Sequence, residues 1–222
     1  MYGIAGEHMI VAREVRLVLV VLLLLAVSAK VFLGWQVAVA LLLFAAPFIY
    51  VFRDPFCRVP ASPLGVLSPA SGTIESIDTV TDPWLNRQAR RCRIRMSLFD
   101  IHTLRSPSEG KIRNQWFAAT AEAGLKRRYT YWIQTDEGDD VVLSVATGNF
   151  APFTMIDLQC GERTGQGQRC GYLYFAGVID ILLPERIRID LKPGETVNAG
   201  SSILGQLIRH KTITLPDNQT AV

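Results

Sequence analysis

Residues 15 to 52 are almost wholly apolar and run without a linker into Phe52-Arg53-Asp54-Pro55. No other feature constrains the fold as strongly, because so long an apolar run has to be hidden from water. It is too long for one span and breaks in the middle at Lys30 and Gly34. A span needs ~20 apolar residues, so Leu17–Leu33 and Trp35–Phe52 are expected as the arms of a transmembrane helical hairpin, each near the lower limit. A re-entrant hairpin that does not fully cross stays open. Trp35 and Tyr50 stand where interfacial aromatic belts would lie. Arg13, Arg16, Arg53 and Arg58 fall on one side of the hairpin and Lys30 on the other. The positive-inside rule then puts both termini on the cytoplasmic side of the inner membrane.

Three segments follow: an N-terminal cytoplasmic stretch, 1–14; the hairpin, 15–52; and one domain, 53–222, of ordinary single-domain size. The net charge of +3 gives no support to nucleic-acid binding. Basic residues do cluster, at Arg87, Arg90, Arg91, Arg93 and Arg95 and again at Lys126, Arg127 and Arg128. Such clusters are either solvated strand faces or a surface for anionic lipid. The four cysteines, Cys57, Cys92, Cys160 and Cys170, contain no C-x-x-C pair, so no metal site is expected, and a cytoplasmic domain keeps them reduced.

The domain reads as mainly β. Period-two alternation marks Gly72–Ile77 and Arg93–Leu98. Tyr129–Gln134 and Val141–Val145 flank an acidic turn at Asp136–Asp140, and Gly171–Phe175 and Val178–Leu183 follow. Phe117–Leu125 is the one helix expected outside the hairpin. Ser68–Ile74 and Leu191–Leu204 share a Gly-punctuated pattern similar to the barrel-sandwich hybrids of biotinyl and lipoyl domains, whose two halves embrace. No lysine sits at the exposed hairpin tip that a carrier role would need.

Four motifs in order resemble the short, membrane-anchored phosphatidylserine decarboxylase family. They are Phe52-Arg53-Asp54-Pro55 with Arg58 and Pro60; Ser68-Pro69-Ala70-Ser71-Gly72; Phe99-Asp100-Ile101-His102-Thr103-Leu104-Arg105-Ser106-Pro107 with Gly110; and Phe175-Ala176-Gly177-Val178-Ile179-Asp180-Ile181-Leu182-Leu183-Pro184. The resemblance implies a chain that splits at a Gly-Ser step, the Ser becoming a pyruvoyl group. That group is the electron sink for loss of CO2 from a Schiff base. An Asp and a His assist the splitting.

Laid on this chain, the family's Ser falls on Gly177, its Gly on Ala176 and its Asp on Ser71. His102 and Arg105 remain at matching places. Gly177 has no hydroxyl from which a pyruvoyl could form, so Ser71, His102 and Gly177 are vestigial and no cofactor or catalysis is expected. The expectation is a membrane-anchored pseudoenzyme, either an assembly subunit with integral membrane partners or a phospholipid-binding protein. His102 and Arg105 are the headgroup candidates, and Ala26, Ser28, Ala29 and Gly34 are expected to pack against other spans. The alternative is an active decarboxylase of phosphatidylethanolamine synthesis, splitting itself at Gly200-Ser201-Ser202 and carrying a pyruvoyl at Ser201 or Ser202. The competing role for Arg105 is a surface ion pair with Asp100 or Glu109.

Overall fold

The computed structural model describes residues 12, 15–32, 34–120, 124–148, 154–174 and 177–208, apart from the side chain of Phe48. Apart from Ala12, the N-terminal segment 1–14 lies outside them. The apolar run folds as two helices, α1 (Arg16–Phe32) and α2 (Trp35–Val51), reversing at Gly34, whose φ of +97° suits a residue without a side chain. Two helices stand within one residue of the expected arms; the expectation that they span the membrane is not supported. Each helix has 17 residues, about 25 Å at 1.5 Å per residue, against a hydrocarbon core of ~30 Å. No helix among the described residues is long and apolar enough to cross a membrane. Pro47 lies inside α2, where it costs the helix a backbone hydrogen bond.

Small residues set how the two arms meet. Ala26, Ala29, Ala38 and Ala45 are buried, while Leu17, Leu24, Phe32, Leu43 and Phe44 stand exposed. Ala26 and Ala29 are therefore used inside the hairpin rather than offered to other helices. Ser28 is exposed and donates its hydroxyl to the Leu25 carbonyl at 2.9 Å.

The rest is β. The strands are β1 (Gly65–Leu67), β2 (Gly72–Asp82), β3 (Arg87–Arg95), β4 (Thr103–Arg105), β5 (Gly110–Ala119), β6 (Leu125–Gln134), β7 (Asp140–Gly148), β8 (Met155–Ile156), β9 (Arg163–Thr164), β10 (Arg169–Tyr172), β11 (Gly177–Pro184), β12 (Thr196–Val197) and β13 (Ile203–Gln206). Eight of them form one antiparallel sheet, in the order β12-β2-β3-β11-β7-β6-β5-β9, curled into a half-barrel. A three-stranded sheet, β4-β10-β8, and a two-stranded one, β1-β13, complete the domain. The helix expected at Phe117–Leu125 is absent: Phe117–Ala119 ends β5, and Leu125 begins β6. A register shift between Ile112 and Asn114 breaks the alternation of β5, which removes the period-two signal from its second half.

Alternation explains the core. Ile179, Ile181 and Leu183 of β11 face the same main cluster as Val141, Leu143 and Val145 of β7 and Cys92 and Ile94 of β3. On the opposite face of β11, Asp180 is buried at 3% exposure. Arg93 of β3 donates to it through Nε (2.7 Å) and Nη2 (2.9 Å), and Arg128 of β6 through Nη1 (2.9 Å). These bonds strap four neighbouring strands together, since β11 and β7 lie between β3 and β6.

The two segments likened to a sandwich hybrid do embrace. Thr196 and Val197 pair with Thr73 and Gly72, and β1 pairs with β13. Outside the ladders, Ser68 N–H donates to Ser202 O (2.8 Å), Gly200 N–H to Ser68 O (2.7 Å) and Ala199 N–H to the Ser71 hydroxyl (3.0 Å).

Candidate functional site

Register brings the motif residues to one end of the large sheet. Thr73, Arg95 and Val178 stand abreast on β2, β3 and β11. Ser71 and Gly177 therefore lie at the same end, flanking Met96, on strands about 10 Å apart at two interstrand spacings. From that end residues 96–102 lead to His102 at the foot of the hairpin, and Tyr172, at the end of β10, packs against Phe52 there. Phe175 and Ala176 of the fourth motif lie outside the described residues.

His102 is fully buried. Its ring sits 5.7 Å from Phe52 and 6.0 Å from Tyr172, both tilted. Neither ring nitrogen makes a hydrogen bond of good geometry among the described residues. Burial pushes its pKa below the ordinary value, partly opposed by the nearby Val51 carbonyl and the Asp100 carboxylate, while Arg53 adds to the lowering. The imidazole is thus a buried aromatic wedge between hairpin and domain. It makes no hydrogen bond to Ser71, whose hydroxyl is taken by the Ala199 amide. Gly177 opens β11: its carbonyl accepts from Met96 N–H at 2.9 Å, and an added Cβ would stand 3.0 Å from the Ala146 carbonyl oxygen. A seryl side chain would be tight there, and glycine supplies no hydroxyl. Among the described residues no hydrogen bond joins Ser71, His102 and Gly177, the positions expected to be vestigial, and Gly177 has no side chain from which a pyruvoyl group could form.

Arg105 occupies a more open setting. A cavity of about 190 Å³ at the hairpin foot is lined by Asp54, Cys57, Arg58, Arg105, Asn198 and Ser201, among others. Arg105 is held from behind, donating Nη1–H to the Gly167 carbonyl at 3.0 Å. The expected partners are not used: Asp100 instead accepts from the Ser97 amide at 2.7 Å. Asp54 is engaged by Arg169 at 3.3 Å. Two arginines, Arg58 and Arg105, thus line the cavity beside a carboxylate already paired. That is a phosphate-binding chemistry, since guanidinium N–H groups match phosphate oxygens. Cys57 donates to the Ala199 carbonyl at 3.1 Å. Burial raises its thiol pKa, opposed by Arg105 and reinforced by Asp54.

The Gly200-Ser201-Ser202 step forms one wall of this cavity. Gly200 has a φ of +71°, and an added Cβ would lie 2.5 Å from Arg105 Cδ and 3.0 Å from Cys57 Sγ. The amides of Ser201 and Ser202 both donate to Asn198 O, and the Ser202 hydroxyl accepts from Asn198 N–H at 2.9 Å. This is the tight turn that leads from β12, paired with β2, to β13, paired with β1.

A family model described as phosphatidylserine decarboxylase matches residues 44–205. The chain belongs to the phosphatidylserine decarboxylase family. Similar proteins include the phosphatidylserine decarboxylase proenzymes of Nitrosomonas eutropha, 33% identical over 207 residues (90% of this chain, 96% of the relative), and of Burkholderia cenocepacia, 34% identical over 212 residues (90% and 97%). No solved structure matches.

Other sequence expectations meet the structure unevenly. Most arginines of β3 are ion-paired rather than free. Besides Arg93, Arg91 pairs with Asp78 (3.1 Å), Arg95 with Glu75 (2.6 Å) and Arg87 with Asp82 (3.7 Å). All four cysteines are free, and burial pushes the thiols of Cys92 and Cys170 up to about 12. Sequence reading missed Cys57, Asp54 and Asn198 as neighbours of Arg105. The available signal was the motif order itself, since Asp54 and Arg58 open the domain and Arg105 belongs to the third motif.

Proposed function

We propose that this member of the phosphatidylserine decarboxylase family is a pseudoenzyme that stays in one piece and binds a phospholipid headgroup at the cytoplasmic face of the inner membrane. The observation that carries the reading is the Arg58–Arg105 cavity at the foot of an apolar hairpin, where a headgroup would sit once the hairpin is in lipid. The hairpin enters the bilayer without crossing it, consistent with arms of about 25 Å. Its exposed surface is large and apolar, which suits lipid contact. Its alanines are used within the hairpin, which favours lipid binding over an assembly role built on close helix packing. Gly177, with no hydroxyl, is the reason to expect no pyruvoyl and no turnover.

One observation favours a second reading. Ser201 lines the same cavity as Arg105, next to a left-handed Gly200, and the relatives are named proenzymes. An active decarboxylase processed at Gly200-Ser201 would use that step. Intact mass of the denatured chain, with Ser201→Ala and Ser202→Ala alongside, separates the two. One full-length species supports the pseudoenzyme. Two fragments, the smaller beginning with a ketone-bearing residue at 201 or 202, overturn it. For the headgroup site, phospholipid copurifying with the chain should drop in Arg105→Ala; unchanged retention would sink the cavity reading.

A further inference from the structure

The end of the large sheet nearest the hairpin carries bulky apolar side chains that the described domain leaves open. Leu98 (42% exposed) and Phe99 (60%) lie in the connection from β3 to His102, and so beside the hairpin foot. Met155 (53%) pairs with Tyr172, which packs in the same cluster as Phe52. Phe117 (60%) lies two residues short of the rung formed by Ala119, Arg127, Thr147 and Gly177. Beside these stand the exposed Lys126 and Arg127 at the start of β6. The opposite end of β6 leads into the acidic turn Asp136-Glu137-Gly138-Asp139-Asp140. Apolar groups stand with Lys126 and Arg127 at the hairpin end, whereas at the far end the acidic turn is paired with cations, Asp136 with Arg163 and Asp140 with Arg87.

We propose that Leu98, Phe99, Phe117 and Met155, with Lys126 and Arg127, form a second bilayer contact that seats the β domain on an anionic lipid surface. The inference rests on the reading that the hairpin is in lipid. Two arguments carry it. Met155 pairs with Tyr172, which packs against Phe52 at the hairpin foot, so the rim borders the apolar hairpin. Large apolar side chains beside cations suit the interface of an anionic leaflet. The rim also sets the height of the domain, bringing the Arg105 cavity to the level of the headgroups.

The test keeps the full chain. Spin labels are placed singly at Phe99→Cys, Phe117→Cys, Glu137→Cys and Leu43→Cys, on a background with Cys57→Ser and Cys160→Ser. The chain is reconstituted in vesicles of phosphatidylcholine and phosphatidylglycerol, and collision with oxygen is compared with collision with a water-soluble nickel chelate. Labels at 99 and 117 should show a severalfold higher oxygen-to-nickel ratio than the label at 137. Lys126→Glu with Arg127→Glu should lower the ratio at 117 in the anionic vesicles, by up to about fivefold per cation lost, and leave pure phosphatidylcholine vesicles unaffected. If 99 and 117 match 137 while 43 reads lipid, the rim is overturned and the hairpin reading stands. If 43 also reads water, both are overturned. Equal effects of the charge reversal in the two lipids would overturn the anionic seat.

Discussion

Asp180 is the side chain whose loss the domain should feel most. Asp180→Asn keeps the size and removes the charge. The native carboxylate is almost fully buried and accepts from Arg93 at 2.7 and 2.9 Å and from Arg128 at 2.9 Å. The two arginine side chains are themselves only 20% and 13% exposed. Removing one partner of a buried ion pair costs ~3–5 kcal/mol, because the opposite charge stays behind in a poor solvent. Here two guanidinium groups are left facing each other across a neutral amide, one N–H of which now opposes a donor. Partial exposure of the arginines moves the expectation to the lower end, about 3 kcal/mol. For a domain of this size that is a fall in Tm of roughly 6–12 °C. The assay is urea unfolding followed by circular dichroism in detergent, with Arg91→Ala as control. The Arg91–Asp78 pair is more exposed, at 30% and 46%, and should cost less than ~1 kcal/mol. A loss under 1 kcal/mol in Asp180→Asn, or one no larger than in Arg91→Ala, would refute the idea that this triad holds β11 in place.

Three further outcomes are expected. Because the folded pKa of His102 lies below its ordinary value of 6.5, the unfolded chain takes up a proton first as pH falls. Stability should therefore decline from about pH 7 downward, by at most ~1.4 kcal/mol per pH unit, and His102→Phe should flatten that slope in denaturant titrations at pH 7, 6 and 5.5. Gly200→Ala forces a Cβ against Arg105 and Cys57 in a left-handed turn, and should cost ~1–3 kcal/mol and reduce phospholipid retention. Gly194→Ala, with φ +92° but open space, should cost less and retain lipid. Ala176→Gly, Gly177→Ser and Ser71→Asp together should produce some chain splitting on denaturing gels, whereas Gly177→Ser alone should stay intact, since Ser71 offers no carboxylate.

Much of the fold was legible because alternation and apolar runs report burial directly. Val178–Leu183 and Val141–Val145 are strands because both of their faces are buried, and the hairpin boundaries follow from Gly34 and Asp54-Pro55. The pairing of Ser68–Ile74 with Leu191–Leu204 was visible through shared Gly-bearing corners. The reading failed where a strand leaves the core. In β5 a register shift removes the phase, and Phe117 is exposed, so the segment carries no strand pattern. The Arg run of β3 looked like a cationic face because its partners, Asp78, Asp180 and Glu75, come from other strands. The Arg105 cavity was half legible. His102 and Arg105 are near in sequence but part in space, one wedged under the hairpin and the other facing Ser201. That separation depends on strand β4, too short to announce itself.

The pairing of β1 with β13 has a consequence for how the chain is made. Gly65 cannot meet Gln206 until nearly all of the domain has left the ribosome. At ~5–20 residues per second that delay is roughly 7–28 s. The apolar hairpin emerges first and is available to lipid throughout the delay. On the proposed reading that the hairpin is in lipid, the domain completes its closure as a tethered body, and its exposed β strands wait beside a membrane rather than free among other nascent chains. Detaching the hairpin during synthesis should therefore harm folding yield more than it harms the stability of domain already folded.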